Sequence, residues 1–195
     1  MESEQFKSDL VSIRKMMERS AKFISLSGLS GIMAGIYAVL GAAWIYYKTE
    51  QTTILSNAPI LWVGVMVLLL AVGTAVLLSA RKAQAQRQSL WNPASKALLQ
   101  SVSIPLITGG ILLLICYQQQ RLDLLVPMAL LFYGLALAVG SLYTYKDVWG
   151  LGIAQIILGL AAFAIDGYDL IFWSFGFGLL HILYGAIMFV KYDRK

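Results

Sequence analysis

The chain has 195 residues, of which 59% are hydrophobic and 13% charged, with a mean hydropathy of +0.74; soluble domains carry about a quarter charged residues, so the composition excludes an ordinary water-soluble fold and specifies an all-α polytopic membrane protein. The formal net charge of +5 does not mark a nucleic-acid partner, because the cations lie at the ends of apolar runs and not on one water-facing surface. With one cysteine and one histidine, the chain lacks the convergent clusters that a protein-built metal site needs, and no cofactor is expected.

Residues 1–22 place Phe6, Leu10, Ile13 and Met17 at helical spacing, with Lys7, Arg14, Lys15, Arg19 and Lys22 on the other faces. This predicts an amphipathic juxtamembrane helix, which anchors the first span or docks on lipid headgroups or a cytoplasmic partner. No cleavable signal is expected, since the apolar run that follows is too long for a signal-peptide core.

Residues 23–195 are expected to form a six-helix membrane domain. The first span, 23–47, is uncharged and long enough at about 1.5 Å per residue to cross a bilayer core. Its small residues fall on two stripes, Ser27, Gly31 and Gly35 on one and Ser30, Ala34, Ala38 and Ala42 on the other. Such spacing lets helix backbones approach closely, so this span is expected to be central, with the glycines of the fifth and sixth spans, including Gly152, Gly159, Gly176, Gly178 and Gly185, as counterparts.

A polar loop, 48–58, leads to Pro59 and a Leu- and Val-rich second span, 59–80. The connection 81–96 ends in Asn92 and Pro93, placed as cap and first-turn residue of the third span, 94–117. Pro105 inside that span predicts a bend. The buried setting of Cys116 reads as that of a small hydrophobe. The fourth span, 124–145, and the fifth, 148–165, are joined by a short hairpin. Asp166 to Asp169 then make a tight turn around Gly167 before the sixth span, 170–190, and the tail KYDRK.

Thirteen of the 15 Lys and Arg residues fall on one side of this topology, which predicts that both termini are cytoplasmic. Aromatic residues cluster at the span ends, with Trp44, Trp62 and Trp173 assigned to the outer interface and Trp91, Tyr145 and Tyr192 to the inner. WIYYK and LYTYK end the first and fourth spans alike, a hint of an inverted three-plus-three repeat.

His181, near the middle of the sixth span, is the ionisable group to explain. It can be a neutral imidazole bonded to a neighbouring helix, a proton or ligand site, or a haem ligand. Gln155, Tyr133, Tyr184, Ser27 and Ser30 could share a polar pocket with it. Buried acidic pairs, the usual mark of ion-coupled transport, are absent from the sequence pattern.

Two resemblances follow from particular residues. GLSG, Gly28 to Gly31, is similar to the G-x-S-G motif of rhomboid intramembrane proteases, which would make Ser30 a nucleophile and His181 its base; the family places its serine in the fourth helix, whereas Ser30 is in the first. RKMMERSAKFISLSGLSGIMAGIYAVLGA and GFGLLHILYGAIMFVKYD together resemble six-span bacterial inner-membrane proteins, a family with no assigned activity. That resemblance implies fold and location alone.

The leading expectation is a non-enzymatic inner-membrane module that binds or passes a small amphiphile or lipid between the first, fifth and sixth helices. A structural or regulatory subunit with a cytoplasmic partner is the second reading, and an intramembrane serine hydrolase the third. A homo-oligomer is compatible with each.

Overall fold

A computed structural model describes residues 26–51, 58–85, 87 and 89–194. The expected amphipathic helix at 1–22 and the start of the first span lie outside the described residues. Those described form helices joined by short turns, and six of the helices are long and apolar enough to cross a membrane.

Helix α1 is Gly28–Gln51 and α2 is Ala58–Ala85. Both outrun their apolar spans. In α1 the polar KTEQ continues the helix, with the Thr49 hydroxyl donating back to the Ile45 carbonyl at 2.8 Å. In α2 the extension through Arg81 and Lys82 to Ala85 uses good helix formers.

Helix α3 is Pro93–Gln118. Asn92 and Ser95 cap it reciprocally: Asn92 Oδ1 accepts from the Ser95 N–H, and Ser95 Oγ accepts from the Asn92 N–H, both at 2.9 Å. Two donors that would otherwise be orphaned at the helix start are satisfied, and Pro93 follows the cap. The helix continues through Pro105.

A 3₁₀ turn, Leu122–Leu124, feeds α4, Leu125–Gly140, which tightens into a second 3₁₀ turn at Ser141–Tyr143. The α-helical part of the fourth span is therefore shorter than expected. The Ser141 hydroxyl bonds the Ala138 carbonyl at 2.7 Å, a local partner that competes with helix continuation. Helix α5 is Asp147–Ala164, and Gly167 in the next turn has a φ of +85°, which only glycine adopts freely.

Helix α6 is Asp169–Asp193, and it changes winding along its length. It is α-helical over Asp169–Trp173, π-helical over Ser174–Leu180, α-helical over His181–Met188 and π-helical again over Phe189–Asp193.

Helix α1 packs between α2 and α6, α4 packs between α3 and α5, and α6 also touches α4 and α5. Exchanging the first three helices for the last three maps the first two pairings of α1 onto those of α4. The contacts of α6 with α4 and α5 have no counterpart of similar extent.

Glycines line seams of close helix approach. A Cβ on Gly35 would lie 2.6 Å from the Gly178 carbonyl oxygen, and one on Gly31 would lie 3.1 Å from the Gly185 Cα. Ala38 is buried on the same helix. The glycines of α5 serve a different neighbour from the one expected: Cβ atoms on Gly152 and Gly159 would strike α4, at Ala138 N (2.8 Å) and Leu131 N (2.9 Å). Helix α1 is flanked by α2 and α6, whereas α5 packs most extensively on α4.

Candidate functional site

The π-helical turn in α6 sets up the most elaborate polar cluster of the interior. The π-helix replaces the ordinary i+4 pairing by i+5, and the Gly176 carbonyl within it takes two side-chain donors. His181 Nδ1 lies 3.0 Å from it and Gln155 Nε2, from α5, lies 2.8 Å away. Because Nδ1 faces a carbonyl, it carries the imidazole proton, and Nε2 is left as an acceptor for the Tyr133 hydroxyl of α4 at 2.8 Å. The 3.4 Å approach of Gln155 Nε2 to His181 Nδ1 then joins two donors that share one carbonyl.

Absence of a side chain at position 176 makes the cluster possible. A Cβ there would fall 2.8 Å from Gln155 Oε1 and strike Leu130 Cδ2. Gln155 is fully buried and His181 is 6% exposed, while Tyr133 and Phe177 pack their rings around the imidazole. Two buried polar atoms here have no hydrogen-bond partner among the described residues, Gln155 Oε1 and the Tyr184 hydroxyl.

The serines of α1 belong to other arrangements. Ser30 Oγ donates to the Ser27 carbonyl at 2.6 Å, a bond within its own helix turn. Ser27 Oγ donates to Asp193 Oδ2 at 3.2 Å. It is the backbone of His181 that faces this helix: a Cβ on Gly31 would lie 3.4 Å from the His181 carbonyl oxygen. The imidazole bonds α4 and α6. Ser30 and His181 thus form no nucleophile-base pair in this arrangement.

A second cluster closes the end of the bundle where α1 begins. Asp193 Oδ1 accepts from Lys82 Nζ at 2.6 Å, and Oδ2 accepts the Gly28 N–H at 2.8 Å. The carboxylate both caps the first turn of α1, where the helix dipole favours an anion, and neutralises the lysine of α2. Lys82 directs its remaining donors to the Leu26 carbonyl at 3.0 Å and the Tyr145 hydroxyl at 3.4 Å. Tyr145 stacks on Tyr192 at 4.0 Å between ring centroids. Asp147 in turn accepts from Lys191 at 3.0 Å and from the Tyr192 hydroxyl at 2.8 Å. Asp193 was not singled out from the sequence because it sits in a basic tail; an acid among those cations was the available signal.

Open space lies elsewhere. A groove of about 360 Å³ runs between α1 and α2, lined by Tyr37, Gly41, Trp44, Trp62, Val67 and neighbouring aliphatic residues. The Tyr37 hydroxyl meets Thr74 Oγ1 at 3.2 Å. Thr74 commits its own proton to the Leu70 carbonyl at 2.7 Å, so Tyr37 is the donor. Trp173, assigned from the sequence to the outer interface, turns inward, and its indole N–H donates to the Ala38 carbonyl at 3.1 Å.

Among the described residues, an all-helical bundle with six membrane-capable helices is compatible with an integral membrane protein. The chain matches no family model, no curated protein sequence and no solved structure.

Proposed function

We propose that the chain is a multi-pass inner-membrane protein, non-enzymatic, that holds a membrane amphiphile by its acyl chain in the groove between α1 and α2. The observation that carries this reading is the groove itself: it is apolar, bordered by two tryptophans, and open on the side where the helices present apolar surface. Ile104 is 74% exposed, Trp62 66% and Leu77 64%, an exterior that water would not tolerate over such an extent. Tryptophan at Trp44 and Trp62 suits the headgroup boundary. The end bearing Lys82 and Asp193 is assigned to the cytoplasm on the thirteen-to-two imbalance of cations.

Purification in mild detergent followed by lipid extraction and mass spectrometry tests the reading. Co-purifying lipid is expected near one molecule per chain, lost in Val67→Trp, which fills the groove, and retained in Leu77→Trp, which lies outside it. Equal lipid in both variants would overturn it. Accessibility of single cysteines, introduced in a Cys116→Ala background, tests the sidedness. The competing role, docking of a cytoplasmic partner through residues 1–22 and the 81–96 connection, is supported by charge alone.

A further inference from the structure

We propose that one half of α2, residues 61–72, is a lateral gate to the groove, swinging on a hinge at Gly73 and Thr74. The gate rests on the assignment of the groove to a membrane amphiphile.

Burial divides α2 into a held part and a free part. At the end near Asp193, Ser79 is 5% exposed and Ala83 1%, and Lys82 bonds the Leu26 carbonyl at 3.0 Å and Asp193 at 2.6 Å. From 61 to 78 no residue is buried. This free stretch carries the whole α2 wall of the groove, Trp62 to Leu70. It meets its neighbours through side-chain tips. A Cβ on Gly41 of α1 would lie 3.0 Å from Val63 Cγ1 and Val67 Cγ2, and one on Gly64 would lie 3.9 Å from the Trp173 ring of α6. Apolar contacts of this kind are non-directional, whereas the hydrogen bonds of Lys82 have a fixed geometry.

The hinge lies between the two parts. No atom stands within 4 Å of where a Cβ on Gly73 would be, so no neighbour requires a glycine there, and a glycine inside a helix weakens it relative to alanine. Thr74, the next residue, donates its hydroxyl to the Leu70 carbonyl at 2.7 Å, a back-bond that bends helices. The Tyr37 hydroxyl of α1 meets Thr74 Oγ1 at 3.2 Å, so the pivot stays docked while the arm beyond it swings. Residues 61–72 span about 18 Å at 1.5 Å per residue. A bend of about 20°, which glycine-containing kinks reach, moves the tip of such an arm by about 6 Å, wide enough to admit an acyl chain. The amphiphile then enters sideways from the bilayer, between Trp44 and Trp62, and not along the bundle axis.

Gly73→Ala fits the fold without a clash, so it tests the hinge without threatening folding. In a Cys116→Ala background, spin labels on Tyr47→Cys and Leu61→Cys report the groove ends of α1 and α2, and labels on Leu29→Cys and Arg81→Cys report the opposite ends. In nanodiscs of phosphatidylethanolamine and phosphatidylglycerol, the 47–61 distance distribution is expected to be broader than the 29–81 distribution. Gly73→Ala should narrow it, and Gly110→Ala, the same change at an open glycine of α3, should leave it unchanged. Protein loaded in mild detergent with deuterated phosphatidylglycerol and mixed with excess unlabelled lipid should exchange about fivefold more slowly in Gly73→Ala, the helix-propensity difference expressed as a rate. A 47–61 distribution no broader than 29–81, equal narrowing by Gly110→Ala, or an exchange rate unchanged in Gly73→Ala would each overturn the gate. Lipid that fails to load, or that loads equally in Val67→Trp, would instead remove the groove assignment, and the spin-label distances would still decide whether α2 bends at Gly73.

Discussion

Lys82 and Asp193 meet at 2.6 Å although 111 residues separate them in sequence. Their side chains are 13% and 11% exposed, so the pair is largely withdrawn from water, and it ties the ends of α1, α2 and α6 together. Asp193→Asn is expected to cost about 3 kcal/mol, because it strands the lysine charge. Lys82→Met added to Asp193→Asn should recover part of that loss. The double-mutant cycle, read by unfolding in mixed micelles, gives the coupling; additive losses would show that the two groups act independently.

Glycines of this bundle divide by what surrounds them, and their substitutions should divide by sign. Gly185 lies against Gly28 O, and a Cβ there would be 2.7 Å from that oxygen, whereas Gly110 and Gly150 have nothing within 4 Å. Gly185→Val should therefore destabilise by about 1–3 kcal/mol or prevent folding. Gly110→Ala and Gly150→Ala should be neutral or stabilise by up to about 1 kcal/mol, the helix-propensity difference. Thermal unfolding of the three variants decides it.

The two partners of the His181 cluster should differ in cost. Tyr133→Phe leaves the Nε2 lone pair buried without a donor, a loss of about 1–3 kcal/mol. Gln155→Leu removes one of two donors to Gly176 O but also removes the orphaned Oε1, so its cost should be smaller, about 1 kcal/mol or less. An inverted order, measured by the same unfolding assay, would mean that Oε1 has a partner of its own.

Lipids brominated on the acyl chain should quench the fluorescence of Trp44 and Trp62, which border the groove, more than that of Trp173, whose indole is bonded to the Ala38 carbonyl. Trp62→Phe should remove a larger share of the quenchable signal than Trp173→Phe. Steady-state titration with brominated lipid in nanodiscs measures it.

Much of the helical order was legible because apolar length and turn chemistry are local. Asn92 and Pro93 announced the start of α3, and Gly167 the turn before α6. The helix ends were less legible, since Arg81 to Ala85 carry helix-forming residues beyond the apolar run. Harder still was the choice of neighbour. Small-residue spacing marked α1 as a close-packing helix, yet the same pattern in Gly152 and Gly159 serves α4, and nothing within a helix states which partner its glycines admit. His181 stood out by chemistry, but its partners could not be read because they depend on the π-helical turn that contains the Gly176 carbonyl. Asp193 was hidden by the cations beside it.

The place of α6 also bears on how the chain assembles during translation. The substantial contacts between the α1–α2 pair and the α3–α4–α5 group run through this helix, and it is synthesised after all five of the helices that it joins. Until Asp169–Asp193 emerges, the earlier segments can form only two separate groups, with the Gly31 and Gly35 seam open to any small-residue helix nearby. Ribosomes stalled just before Asp169 should therefore display two independently protease-sensitive halves, and the bundle becomes one object only when its sixth helix arrives.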